Sequence, residues 1–166
     1  MSRLELAIDR IKASRRYIRD LLDNVETDDW FRMPEGCPTH IAWQVGHLTV
    51  SQYGLCLVRL RDMQPSDTDL LPRDMRRKFG KGTTPDADPE ANPSVDAILG
   101  AFKAVHEQFL KEIADYDEEA LAVALDVPHP LFTSKLGAIE FCPLHDMLHA
   151  GQIGLIRRML GKTPLR

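Results

Sequence analysis

The chain has 166 residues, 43% hydrophobic and 28% charged, which is enough to bury one core and predicts a single domain over residues 1–166. Its net charge of -4 argues against a general nucleic-acid-binding protein, which normally carries a broad basic face. No apolar run approaches the roughly 20 residues that span a bilayer, and the three cysteines form no CxxC pair. We therefore expect a cytoplasmic protein with reduced thiols and no nucleic-acid or membrane partner.

Apolar residues recur at helical spacing in two segments of the first third of the chain. The first pattern predicts a helix over about 3–25, surrounded by Arg, Lys and Asp. The second helix begins after Pro38, with Thr39 as the expected N-cap. It carries apolar residues on two sides, which predicts deep burial. His47 lies within it, in the run Trp43-Gln-Val-Gly-His-Leu48.

Two further helices are predicted in the second half of the chain. The third follows Ser94, a typical N-cap residue, and His106 falls on its apolar stripe. The fourth has one line of apolar residues that we expect to face the core, Leu144, Leu148, Leu155 and Met159, and an adjacent line with two histidines, His145 and His149. Pro143 predicts a kink or a fresh helix start one turn before these histidines.

The lengths of the connections predict the topology. Residues 26–38 are short enough for an antiparallel hairpin of helices, whereas residues 62–93 contain five prolines and predict a long crossover. The predicted fold is all-α, a four-helix bundle in up-down-down-up order with helices 2 and 3 parallel. Residues 117–135 form a second excursion, with a short helix at 117–121 that ends before Pro128-His129-Pro130. No strand ladder is predicted.

The pair His145 and His149 is the most specific chemical feature of the sequence. Side chains at i and i+4 share a helix face with Cβ atoms about 6 Å apart, so both rings can reach one divalent metal. His47 is the best candidate for a third ligand, and Gln152 is a candidate for holding a ligand ring or a bound water. Three protein ligands with an open position are typical of a reactive centre, and imidazole suits zinc, nickel, copper and ferrous iron. The alternative is a pair of ordinary polar residues on a half-buried helix.

Other histidines and cysteines have competing interpretations. Cys142 lies three residues before His145 and is a rival ligand, although the proline after it disfavours helical geometry there. His106 is a ligand, a group that supports a ligand, or a hydrogen-bonded core histidine, and the last role is the commonest. His40 and His129 lie in turn contexts, so we interpret both as structural.

Charged residues identify no catalytic group. A basic cluster in the crossover could gather an anionic substrate or a thiol cofactor, although solvated loop charge is the more common role. Its members are Arg73, Arg76, Arg77, Lys78 and Lys81. Glu140 and Asp146 lie near the histidine pair in sequence but project elsewhere on a helix, so the sequence assigns no general base.

Trp43-Gln-Val-Gly-His-Leu48, followed about 100 residues later by His145-x3-His149-Ala-Gly-Gln152-Ile153, resembles the DinB superfamily. The chain is similar also to the YfiT-like metal-dependent hydrolases of that superfamily. The resemblance implies a four-helix bundle, frequently a homodimer, with a divalent metal held by His47, His145 and His149. Characterised relatives include thiol-dependent transferases and isomerases that use bacillithiol, mycothiol or glutathione.

Two functions are compatible with these observations. One is a metal-dependent enzyme that transfers a low-molecular-weight thiol or hydrolyses a small-molecule substrate. The other is a noncatalytic bundle in which the metal or the histidine cluster stabilises helix packing or a dimer. An open metal position facing a solvent-connected pocket favours the enzyme, and a closed site with four protein ligands favours the structural role. With ordinary histidine pKa values of about 6.5, metal affinity is expected to decline below about pH 6.

Overall fold

The computed structural model describes residues 1–165, and its secondary structure is mostly helical. Four long helices are present: α1 (Arg3–Leu22), α2 (Ile41–Gln52), α6 (Val95–Glu112) and α8 (Lys135–Met159). Short helices connect them: α3 (Arg59–Arg61), α4 (Asp67–Leu70), α5 (Arg73–Phe79) and α7 (Glu118–Ala122). The all-α prediction is confirmed at this level, whereas the up-down-down-up order and the single domain stay predictions. Within the described residues, no helix has the length and apolar character needed to cross a membrane.

Local capping explains where the long helices begin. Ser94 caps α6 as predicted, because its side chain accepts a hydrogen bond from the Ala97 amide. The predicted Thr39 cap of α2 is wrong by one residue, since Nδ1 of His40 accepts from the Trp43 amide and does the work of a capping hydroxyl. The other ring nitrogen of His40 bonds the Asp86 carbonyl at 3.0 Å, which confirms its structural interpretation.

The core is formed by apolar faces of all four long helices. α1 packs along α8, and α2 packs against α5, α6 and α8. The predicted deep burial of α2 is confirmed, because Ile41, Ala42, Val45 and Leu48 have no exposed surface. Since α2 is enclosed on several sides, a polar residue within it must find its hydrogen-bond partners inside the protein.

α8 differs from the sequence prediction in two respects. No fresh start occurs at Pro143, because the helix begins at Lys135 and runs through the proline, at the cost of one backbone hydrogen bond. The line expected to face the core is instead exposed: Leu144, Leu148, Leu155 and Met159 have 63%, 60%, 48% and 43% of their surface accessible. The buried line lies one step around the helix and includes Asp146, His149 and Ile153.

A short antiparallel hairpin, absent from the prediction, precedes α8. β1 (Ala124–His129) pairs with β2 (Phe132–Ser134), with Ala124 opposite Ser134. Pro128 is compatible with β1 because both strands of a two-stranded sheet are edge strands, where a missing N–H is tolerated. Ser134 then caps α8 by accepting from the Gly137 amide at 3.0 Å, so the hairpin fixes where that helix begins.

Candidate metal centre

Three histidines from two helices converge in the interior. His47 lies on α2, and His145 and His149 lie on α8. One ring nitrogen from each lies within 4.8 Å of the others, and the ring centroids are 4.5 to 5.3 Å apart. Two nitrogens bound tetrahedrally to one ion at about 2.1 Å lie roughly 3.4 Å apart, so the rings would have to approach one another by at most about 1.4 Å for joint coordination.

The ring of His47 is held by α5 and by Trp43. Its Nδ1 donates to the Phe79 carbonyl at 2.8 Å, and the Trp43 ring stacks on it with centroids 4.7 Å apart and 6° between the planes. Gly46 makes this arrangement possible, because a Cβ at that position would lie 2.3 Å from the Phe79 ring. A glycine before His47 therefore lets the end of α5 come close enough to orient the imidazole.

Gln44 holds the ring of His149. The carboxamide Oε1 of Gln44 lies 2.6 Å from Nδ1 of His149, and the carboxamide Nε2 donates to Thr39 Oγ1 at 3.0 Å. The two contacts hold the Gln44 carboxamide between Thr39 and the imidazole ring. Gln44 is buried and lies three residues before His47, so both side chains point to the same side of α2.

These contacts set the tautomers of the histidines. Because Nδ1 of His47 and of His149 both face oxygen acceptors, Nδ1 carries the proton and Nε2 carries a lone pair. Nδ1 of His145 is buried and has no hydrogen-bond partner among the described residues. Oriented neutral imidazoles beside an unsatisfied ring nitrogen fit a divalent metal, for which the other ring nitrogen typically donates to an oxygen.

Burial favours the neutral imidazoles. It lowers the pKa of His145 to about 4, with His47 and Arg15 adding repulsion, and the pKa of His149 to about 3, with His145 and His47 adding repulsion. Burial also lowers the pKa of His47. All three rings are therefore neutral at pH 7, the state that a metal ligand requires.

The rival candidates have other partners. Cys142 is buried against Cys56, and that contact together with burial raises its pKa, so the thiolate is disfavoured. His106 is half-buried and contacts Gln52 through Nδ1 at 3.2 Å, which agrees with a hydrogen-bonded histidine but places it at the edge of the core. Asp146 accepts a hydrogen bond from Ser14 of α1, which agrees with the expectation that it projects elsewhere on the helix than the histidines. The role of Gln152 stays a prediction, since its side chain is exposed and Gln44 holds the His149 ring.

A cavity of about 470 Å³ opens beside the histidines. Besides His47 and His145, its polar lining residues are Ser51, Arg59, Lys81 and His129. Its apolar wall is formed by Val50, Leu55, Leu131, Phe132 and Phe141. The interpretation of His129 as structural was incomplete, because the hairpin brings it to the cavity. No sequence pattern indicates this position, because it depends on two strands that were not predicted.

Comparisons with known proteins identify a family and a fold. The family model of the DinB superfamily matches residues 10–153. No curated protein matches the chain. A solved structure described as the conserved protein of a locus from Enterococcus faecalis is similar, with a TM-score of 0.72 at 15% identity, over 98% of this chain and 99% of that one. At this identity the likeness shows the fold alone.

Proposed function

Because this chain belongs to the DinB superfamily, we propose that His47, His145 and His149 together hold one divalent metal ion, with zinc, nickel or ferrous iron as the candidates. The observation that carries the proposal is the convergence of three neutral imidazoles, two of which already donate their Nδ1 protons to fixed oxygens. Proton competition is weak at such a site near pH 7.

We propose further that the protein is an enzyme acting on a small molecule by thiol transfer or hydrolysis. Three protein ligands beside a cavity support this reading over a closed structural site. When bound, the metal would act as a Lewis acid that lowers the pKa of a small oxygen or sulfur nucleophile. The chain itself supplies the apolar wall of the cavity, which would limit water around the reactants. It also supplies Ser51, whose Oγ lies 3.4 Å from Nε2 of His47.

Metal content tests the first proposal. Protein purified without an affinity tag is analysed for metals, stripped, and titrated with zinc, nickel and ferrous iron. We expect one ion per chain, and loss of at least tenfold in affinity for His149→Ala, with helical content retained. His106→Ala is the matched control, because that histidine bonds Gln52 outside the cluster. Stoichiometric metal in His149→Ala excludes the site.

The noncatalytic alternative is separated from the enzyme by activity. Metal-loaded protein is screened with thiols and electrophiles, and with ester and amide substrates. Turnover that disappears after chelation and returns with metal supports the enzyme. Stoichiometric metal that raises the unfolding temperature without any turnover supports the structural role instead.

A homodimer through the outer face of α8 is also proposed. The exposed apolar line of that helix includes Leu144, Leu148 and Leu155, and large contiguous apolar patches typically mark interaction sites. Arg16 and Asp20 of α1 flank a cavity beside this line, and a two-fold axis would let such opposite charges pair between copies. Sedimentation should show a dimer for the wild type and for Val123→Glu, an exposed control, and a monomer for Leu148→Glu.

A further inference from the structure

Two of the residues that line the cavity beside the histidines carry positive charge. Arg59 and Lys81 both line it, and no carboxylate is among its lining residues. Within residues 1–165, neither cation forms an ion pair. Other basic residues of the crossover region are paired with carboxylates: Arg61 with Asp67 and Glu112, Arg77 with Asp74, and Lys78 with Asp86.

The guanidinium of Arg59 is positioned by the fold. It lies 4.9 Å above the ring of Phe132 in β2, and His129 stacks on the same ring at 4.2 Å. A cation held over an aromatic face keeps its N–H groups available at the edge of the guanidinium. The hairpin thus provides a platform that presents Arg59 toward the cavity.

The backbone before Arg59 also departs from regular geometry. A π-helical segment, Tyr53–Val58, follows α2 directly. One extra residue in a helix rotates every later side chain by about 100°, so this segment determines the direction in which Arg59 projects. Gly54 lies in the segment and lines the cavity, where a Cβ would meet nothing within 4 Å. π-Segments are frequent at functional sites.

We propose that this cavity binds a small organic carboxylate. Arg59 and Lys81 hold the carboxylate, the apolar wall contacts the body of the ligand, and its far end reaches His47 and His145. A planar guanidinium suits a carboxylate, with which it forms two parallel hydrogen bonds. The volume of about 470 Å³ lies in the range of ligand pockets. This inference rests on the proposed function, which places the metal at the far end.

Paired probes of different charge test the proposal. Zinc-loaded protein is titrated calorimetrically with ω-mercapto acids of three to eight carbons and with the corresponding amides, which keep the same thiol. At the length that spans the cavity, the acid should bind about tenfold more tightly than its amide, because a hydrogen bond between charged groups is the stronger one. No preference at any length overturns the proposal.

Variants assign the preference to the two cations. Arg59→Gln should remove the preference for the acid, because it weakens binding of the acid about tenfold and leaves binding of the amide unchanged. Lys81→Met should weaken binding of the acid severalfold. Arg77→Gln is the matched control, because that side chain is paired with Asp74 and is not part of the cavity lining. A preference that survives in Arg59→Gln overturns the assignment even if Lys81→Met has an effect.

The design separates this inference from the proposed function. Zinc uptake is measured independently in every variant, and Arg59→Gln should retain one ion per chain. If the wild type binds no zinc, the proposed function fails, and the carboxylate preference is then scored on metal-free protein with 3-phenylpropionate and 3-phenylpropanamide. An Arg59-dependent preference there supports the carboxylate site, and its absence overturns it.

Discussion

At the scale of single residues, the candidate centre depends as much on the groups that orient the histidines as on the histidines themselves. The spacing of His145 and His149 could be recognised in the sequence, since i and i+4 always share a helix face. The hydrogen-bond acceptors that orient the rings could not be recognised in the sequence. The Phe79 carbonyl comes from a short helix in the crossover, and Gln44 reaches His149 only once α2 and α8 are packed together.

The first prediction compares two glutamines. Gln44→Leu should lower metal affinity by about 10- to 100-fold, because His149 loses the acceptor that fixes its tautomer and ring orientation. Gln152→Leu should change affinity less than twofold if its exposed side chain has no role in the site. Competition with a chelator measures both. Equal effects in the two variants would contradict the assignment of Gln44 and revive the sequence prediction for Gln152.

The second prediction concerns pH. The histidines have an ordinary pKa of about 6.5 when unfolded, but folding lowers the pKa of His145 to about 4 and of His149 to about 3. The unfolded chain therefore binds more protons between these limits, so the metal-free protein should lose stability as pH falls from about 6.5 toward 4. Each affected histidine contributes a slope of up to about 1.4 kcal/mol per pH unit.

Denaturant unfolding of metal-free protein at several pH values measures this slope. Replacing His145 and His149 together by Gln should flatten the dependence of the unfolding free energy on pH. His40→Gln is not a suitable control, because the His40 ring caps α2 and its loss would itself destabilise the helix. Because burial lowers the pKa of all three histidines, metal affinity should begin to decline at a lower pH than three ordinary imidazoles would give. A tenfold loss of affinity between pH 7 and 6 would contradict these pKa values.

At the scale of secondary structure, periodicity identified the four long helices but not which face of α8 is buried. That helix has apolar residues on two adjacent lines, and the hydrophobic pattern alone does not show which line packs against α1. The hairpin was missed because its strands are short and include Pro128. The π-segment after α2 likewise has no sequence signature that distinguishes it from regular helix.

The third prediction tests the contact between α2 and α5. Gly46→Ala places a Cβ 2.3 Å from the fully buried Phe79 ring, so the ring and its carbonyl must move away from His47. We expect a loss of about 1–3 kcal/mol in the free energy of unfolding, as for other overpacked sites, together with weaker metal binding. Chemical denaturation and zinc titration measure the two effects.

A second glycine on α8 provides the control for that variant. Gly151→Ala introduces the same methyl group close to the centre in sequence, but its Cβ meets nothing within 4 Å, so stability should be unchanged or slightly higher. The double variant Gly46→Ala/Phe79→Leu should recover part of the lost stability because the smaller side chain makes room. Unchanged metal affinity in Gly46→Ala would show that the Phe79 carbonyl does not orient His47.

At the scale of the whole molecule, one buried ion pair links the helices behind the candidate centre. Arg15 of α1 lies 3.2 Å from the carboxylate of Asp146 in α8, donates to the Leu48 carbonyl in α2 at 3.0 Å, and lies 4.3 Å above the ring of Phe102 in α6. Ser14 donates to the same carboxylate. All four long helices therefore meet at one guanidinium.

The last prediction follows from this arrangement. Arg15→Met should destabilise the protein by about 3–5 kcal/mol near pH 7, because it leaves the buried carboxylate of Asp146 without its counter-charge. Burial already raises the pKa of Asp146, and removing Arg15 removes an effect that lowers it. A carboxyl whose folded pKa is raised costs stability only when ionised, so the deficit should shrink as pH falls toward 4.

Arg15→Met/Asp146→Leu should recover most of the stability, since an apolar pair of similar volume avoids the uncompensated charge. The exposed pair Arg3–Glu140 is the control, where Arg3→Met should change the stability little because solvent screens the pair. Denaturant unfolding of the full double-mutant cycle measures the coupling, and a double variant no more stable than Arg15→Met would show that Arg15 acts through Leu48 and Phe102 rather than through Asp146.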